Sequence, residues 1–228
     1  MTELENNRDA ETTGFKLGSW SSFYDKLFFS GFRARRDIEA FPPKIGETIM
    51  DVGCGTGELA LLLARRSGDQ GSVTAIDAAS AMVKLTGKKA QTNGLNIQVR
   101  VAAVEKLPFP DDYFDRVYAV LTFHHLPKDV KRLALAEIYR VLKSNGEFHY
   151  ADWGNLKLPW RIGLFPIEMF LKLISPFTRI SGRIISMFGS HLHNDVPKYI
   201  ENAGFTIKGR SHRCLGLHDY MTARKVVC

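Results

Sequence analysis

Thr48-Ile49-Met50-Asp51-Val52-Gly53-Cys54-Gly55-Thr56-Gly57-Glu58 is the stretch that decides the fold. Its first five residues are a short, mainly apolar run, and three glycines at alternate positions follow. Leu59, Leu62 and Leu63 then recur at helical spacing. This reads as a buried strand that turns sharply into a helix. Glycines at such a turn let the backbone bend and approach a ligand with no Cβ in the way. The helix starting near Glu58 points free N–H groups and its positive dipole end into the crevice, which suits a carboxylate or phosphate.

The pattern repeats outward from this turn. Downstream, strands are expected at Ser72–Asp77, Ile97–Val101, Phe114–Val120 and Gly146–Asp152, with helices over Ser80–Asn93 and Asp129–Leu142. Strands alternating with helices at this spacing imply right-handed βαβ units and a mainly parallel sheet covered on both faces, so the class is α/β. A helix at 195–203 and strands at 205–210 and 217–223 close the chain. Upstream, residues 15–41 read as helical and rich in aromatics (Trp20, Phe23, Tyr24, Phe28, Phe29), after a polar tail of about fourteen residues read as disordered. We therefore expect a tail and helical cap over 1–41 and one domain over 42–228. Between Leu156 and Gly189 the rhythm breaks into two short amphipathic helices, read as a lid inserted over 156–190.

At 228 residues the chain is long enough for one substantial core. A net charge of +7 and a pI near 9.3 favour an acidic partner, nucleic acid or anionic membrane. Cys54, Cys214 and Cys228 form no CxxC pair and no metal-ligand spacing, so neither a disulfide framework nor a metal site is expected and a reducing, cytoplasmic setting is. The polar, acidic N-terminus lacks the features of a signal peptide. Pro159, Pro166, Pro176 and basic residues interrupt the most apolar region, so no membrane span is expected.

A glycine turn alone is shared by several nucleotide-binding chemistries. Asp77 adds to it, ending the next strand 24 positions after Gly53, where a carboxylate can accept both hydroxyls of an adenosine ribose. To this point NAD and S-adenosylmethionine fit equally.

Further motifs in order resemble the class I S-adenosylmethionine-dependent methyltransferases, in the branch that includes the ubiquinone/menaquinone-biosynthesis enzymes. They are Asp51 to Gly57, Ala75-Ile76-Asp77-Ala78-Ala79-Ser80-Ala81-Met82, the run from Glu105 to Asp115, His124-His125-Leu126-Pro127, the run from Glu137 to Gly146, and Ala203-Gly204-Phe205. The resemblance spans about Tyr24 to Gly204. It implies a Rossmann-like seven-stranded sheet and S-adenosylmethionine as cofactor, held at Asp51, Gly53, Cys54, Gly55 and Gly57. The three glycines would line its methionine and ribose, and Asp77 would hold the ribose hydroxyls. Ala78 and Met82 would lie against the adenine, the turn Ala103-Val104-Glu105 would meet the ring edge, Leu121 would sit beside the cofactor, and Tyr24 would close over it. The family commonly places an aspartate where Ala103 stands here. The backbone N–H of Val104 can still serve the ring nitrogen, because a main-chain donor is indifferent to side chain.

A sulfonium methyl is already activated, so the protein mainly aligns donor and acceptor and excludes water. A base matters only for an acceptor that arrives protonated. His124, His125 and Asp152 follow the fourth and fifth strands at the ligand edge and are the candidates, against the alternative that the histidine pair only orders its loop. The lid segment carries Trp160, Phe165, Phe170, Phe177 and Phe188 with five basic residues and one acidic one, Glu168. It reads as cover for a small hydrophobic acceptor or as a peripheral membrane contact.

Three other readings compete with this one. Tyr139 and Lys143 match the YxxxK spacing of short-chain dehydrogenases, which would make the protein an NAD(P)-dependent oxidoreductase. They lie 86 positions after Gly53, too close for that architecture, in a helix read with the apolar stripe Val130, Leu133, Ile138, Val141 and Leu142 before a chain-reversal signal at Ser144-Asn145-Gly146, so the match reads as coincidence. A nucleic-acid methyltransferase is not expected, since Leu121-Thr122-Phe123-His124 stands where a base-clamping Asn-Pro-Pro-aromatic signature belongs. A non-catalytic cofactor-binding protein is the third.

Overall fold

A computed structural model describes residues 31–153, 195–213 and 218–226. The cap before residue 31, Tyr24 included, and the expected lid lie outside the described residues. In chain order the elements are α1 (Gly31–Ala40), β1 (Thr48–Val52), α2 (Glu58–Ser67), β2 (Ser72–Asp77), α3 (Ser80–Thr92), β3 (Ile97–Val101), β4 (Phe114–Val120), a single 3-10 turn (Phe123–His125), α4 (Lys128–Val141), β5 (Leu142–Trp153), α5 (Val196–Asn202), β6 (Phe205–Arg213) and β7 (His218–Lys225).

The strands form one seven-stranded sheet in the order β3-β2-β1-β4-β5-β7-β6. β1 pairs in parallel with β2 and β4, β2 with β3, and β4 with β5, whereas β7 runs antiparallel between β5 and β6. The strand order reverses between β1 and β4, so their carboxyl ends open the crevice where ligands of doubly wound sheets sit.

Alternation along the strands builds a core on each face. On one side Ile38 of α1 and Leu59, Ala60 and Leu63 of α2 pack over Ile49, Val73, Ala75 and Tyr118. On the other, Ala134, Leu135, Ile138 and Val141 of α4 and Val196 and Ile200 of α5 pack over Met50, Val52, Ile76, Val117 and Phe148. Two buried hydroxyls fix α1 to the sheet: Tyr118 donates to the Phe41 carbonyl (2.8 Å) and Tyr220 to Asp37 Oδ1 (2.8 Å).

Two expectations need correction. β5 starts at Leu142, not Gly146, because the chain does not reverse at Ser144-Asn145-Gly146 but bulges. Phe114 pairs with Leu142 and Arg116 with Glu147, and Asn145 absorbs the excess length at φ 64°. Leu133 is 55% exposed, so the buried stripe of α4 lies one step round the helix, on Ala134, Leu135, Ile138 and Val141.

Candidate functional site

The glycine turn leaves β1 with Gly53, Gly55 and Gly57 at φ 69°, 52° and 87°, a region that L side chains rarely occupy. Two of them are also closed sterically. A Cβ on Gly53 would stand 2.5 Å from Thr122 Oγ1, and one on Gly57 2.7 Å from Thr86 Cγ2. A Cβ on Gly55 would meet nothing within 4 Å, so at this position the turn faces open space.

Thr86 and Thr122, which the sequence reading missed, brace the turn from either side. Thr86, fully buried on α3, donates to the Gly55 carbonyl at 3.0 Å. Thr122 donates its hydroxyl to the carbonyls of Val52 (3.0 Å) and Val120 (3.1 Å), tying the ends of β1 and β4 together. Before it, Leu121 is buried and held at φ 53°, a strained setting for a branched residue. The Leu121 N–H bonds to the Ala151 carbonyl at 2.8 Å, which keeps it there.

Asp77 closes the other side. Its carboxylate accepts the Gly55 N–H (3.0 Å) and the Ala79 N–H (2.9 Å), so it shapes the turn as well as facing the crevice. Burial raises its pKa above the ordinary carboxylate value, with those N–H groups acting against the shift. Asp51, 2% exposed, is pushed up to about 7 by burial and then by the charge of Asp77, with the Ala60 N–H opposing. Its Oδ2 is buried without a hydrogen bond, and so is Glu105 Oε2. Ala103 accepts the Lys106 N–H (3.1 Å) in a turn that buries Val104, and Met82 is buried at the start of α3. Cys54 is buried against Thr86 (3.7 Å), and burial with the charges of Asp77 and Asp51 raises its thiol pKa well above the ordinary value. It is a packed loop residue and not a nucleophile.

These features fit an adenosyl cofactor bearing positive charge. The turn offers a glycine with free space in front of it, and two carboxylates that burial disfavours as anions lie beside it. A cationic ligand stabilises their ionised form.

At the neighbouring strand ends His124 and Asp152 meet. Asp152, 2% exposed, accepts the N–H of His124 (3.0 Å) and of Trp153 (2.8 Å), and its Oδ1 lies 2.7 Å from His124 Nδ1. Burial alone would raise the Asp152 carboxyl, but the charge and hydrogen bonds of His124 outweigh it and hold the pKa below the ordinary value. The His125 ring packs against that of His124 with centroids 3.7 Å apart. Tyr139 and Lys143 sit elsewhere. Tyr139 packs edge-on against Phe205, and Lys143 pairs with Asp115 (2.8 Å) near the amino end of β4, which removes the dehydrogenase pair.

Residues 49–146 match the family described as methyltransferase domain. The ubiquinone/menaquinone biosynthesis C-methyltransferase UbiE of Bordetella avium is 35% identical over 114 residues, covering 50% of this chain and 44% of that protein. Its counterpart in Vibrio parahaemolyticus is 30% identical over 173 residues, covering 72% of this chain and 59% of that protein. This chain thus spans about half the length of these curated relatives. The fold is that of a SAM-dependent methyltransferase from Aquifex aeolicus, with a TM-score of 0.64 at 23% identity over 90% of this chain and 98% of that one. The antiparallel β7 set inside the edge also departs from the 3-2-1-4-5-6 order of dinucleotide-binding sheets. Fold, turn chemistry and relatives converge on one conclusion: residues 49–146 match a methyltransferase domain, and the chain is similar to the class I S-adenosylmethionine-dependent methyltransferases, the ubiquinone/menaquinone C-methyltransferases among them.

Proposed function

We propose that the protein methylates a small hydrophobic acceptor bearing an acidic O–H, of hydroquinone type, with His124 as the base that Asp152 orients. The observation that carries this reading is the buried pair itself, His124 Nδ1 to Asp152 Oδ1 at 2.7 Å. An aspartate so placed fixes the proton on Nδ1 and leaves the lone pair on Nε2, the arrangement a general base needs. The relatives' description as ubiquinone/menaquinone biosynthesis C-methyltransferases supports the acceptor class.

S-adenosylmethionine supplies a methyl group already activated on a sulfonium. Gly53, Gly55 and Gly57 would line its amino-acid and ribose portion, Asp51 would face its cationic end, and Asp77 would take the ribose hydroxyls while keeping its bonds to the turn. Ala78, Met82, Ala103, Val104 and Glu105 would bound the adenine, and Leu121 would sit beside the methyl. His124 would take the acceptor proton, freeing the acceptor's electron pair to displace the methyl group from sulfur, which keeps the electrons of the broken bond.

The test is methyl transfer from labelled S-adenosylmethionine to 1,4-dihydroxynaphthalene held reduced with ascorbate. Labelled product with the wild type, and at least about 100-fold less with His124→Ala at unchanged cofactor affinity, is the expected result. Undiminished transfer by His124→Ala would remove the base assignment. NADH binding without S-adenosylmethionine binding, measured by calorimetry, would remove the whole reading.

A further inference from the structure

The corrected stripe of α4 places a lysine where an apolar residue is expected. Ala134, Leu135, Ile138 and Val141 are its buried residues, and Lys131 precedes Leu135 by four positions, on the same face one turn nearer the helix start. Lys131 lies in the first turn of α4, its N–H bonded to the Pro127 carbonyl (2.9 Å), and this helix starts just after the 3-10 turn that carries His124 at the carboxyl edge of the sheet. Lys131 is half-buried, and the opposite charge that acts on it is Asp152. That carboxylate is already engaged by two backbone N–H groups and by His124. No hydrogen bond or ion pair holds the Lys131 ammonium among the described residues. The other charged groups on this helix start do not answer it. Lys128 repels it, and the exposed pair Asp129 and Arg132 is formed at 3.9 Å on the outer face.

Resting on the methyl-transfer reading, we propose that Lys131 is an acceptor-recognising residue that holds the oxyanion of a phenol or enol and rejects amine acceptors. A partly buried cation whose opposing carboxylate is already engaged elsewhere is costly unless its ligand supplies further negative charge. The proton leaves the acceptor O–H for His124 Nε2, and the electron pair stays on oxygen facing Lys131. It is then delivered, from oxygen or from the conjugated ring carbon, to the methyl carbon as the methyl–sulfur bond breaks with both electrons going to sulfur. An amine acceptor arrives as ammonium and meets a like charge instead. Burial lowers the pKa of Lys131, with Asp152 opposing the shift and Lys128 adding to it, so an anion in contact further favours its charged form.

The test uses the full chain saturated with S-adenosylhomocysteine and 4-nitrocatechol, whose ionisation is read by its absorbance. Bound to the wild type, the probe should ionise at a pH about one unit lower than free, a tenfold preference for phenolate. Lys131→Met should lose that preference at unchanged S-adenosylhomocysteine affinity, and Lys131→Arg should keep it. An unshifted probe on the wild type, or an unaltered shift in Lys131→Met, would overturn the inference while leaving the cofactor site standing. Failure of the wild type to bind S-adenosylhomocysteine would overturn both it and the methyl-transfer reading.

Discussion

At the amino edge of the sheet nearly every charge is answered, whereas at the carboxyl edge several are not. Near the starts of β1, β4 and β5 a hollow of about 330 Å³ is lined by Lys44, Glu47, Asp115, Arg116, Lys143 and Glu147 among others. Glu47 accepts Arg116 Nε (2.6 Å), Asp115 accepts Lys143 (2.8 Å), and Glu147 accepts Arg116 (2.9 Å) and Arg224 (2.6 Å). Arg224 Nε is the buried exception. Glu147 lies far below the ordinary carboxylate range, held by the hydrogen bond from His149 and then by Arg224 and Arg116 against burial. Asp115 lies below it too, where Lys143 and the Thr48 N–H overcome burial.

At the carboxyl edge the shifts on Asp51 and Asp77 run the other way, buried oxygens of Asp51 and Glu105 lack partners, and Leu121 is strained. The same strands thus end in a self-satisfied cluster on one side and in groups that a ligand would satisfy on the other. The hollow at the amino edge is lined by groups that answer one another and leave little for a ligand to satisfy. Unanswered charge and strain locate function better than space does.

The largest effect that would break this contrast belongs to Asp77→Ala. Losing a carboxylate that holds two turn N–H groups and is proposed to take the ribose hydroxyls should weaken S-adenosylmethionine binding about 100-fold or more, read by calorimetry. Unchanged affinity would put the cofactor elsewhere.

Next come two glycines of one turn. Gly57→Ala forces a Cβ against Thr86 and a left-handed φ together, and should lower stability by about 2–4 kcal/mol in chemical denaturation. Gly55→Ala meets open space and should cost only about 1 kcal/mol, yet still weaken the cofactor. Equal losses of stability would show that Gly55 is structural too.

Acidity separates the edges by sign. The pKa of Asp51 is raised on folding from 3.8 to about 7, so its stabilising contribution is present below 3.8 and is lost as pH rises to about 7. The lowered carboxyls Asp115 and Glu147 contribute above their ordinary pKa values, and that contribution is lost as pH falls. Because a cationic ligand favours ionised Asp51, cofactor affinity should strengthen up to about tenfold per unit as pH rises toward 7. Asp51→Asn should flatten that dependence, and an unaltered slope would assign the proton to another group.

The smallest effect is expected at Lys143→Met. Its partner pair is 42% and 32% exposed, so the loss should stay below about 1 kcal/mol with cofactor binding unchanged. A fall in cofactor affinity would show that the two edges are coupled.

Most strand ends were legible because buried parallel strands are short β-branched runs stopped by turn residues. β1, β2, β3 and β4 stand where Thr48–Val52, Ser72–Asp77, Ile97–Val101 and Phe114–Val120 were expected. The bulge at Asn145 was not, since Ser-Asn-Gly is equally the signature of a reversal and of a bulge, and only pairing with β4 chooses between them. Thr86 and Thr122 escaped notice because a threonine on a helix or after a strand carries no local mark; its role comes from the glycine brought opposite it. Lys131 was missed because Val130 and Leu133 look like a better apolar stripe until the helix is docked.

The sequence by itself determined the α/β class, the strand-to-helix glycine turn and the identity of Asp77, because hydrophobic period and turn chemistry are local properties of the chain. Only the tertiary structure decided that Asp152 meets both the backbone N–H and the ring of His124, that Asp51 keeps an unanswered buried oxygen and that half-buried Lys131 feels the charge of Asp152. Each of these depends on groups between 20 and 30 positions apart, or on burial, and neither a charge's partner nor its loss of water is written in any single stretch of residues.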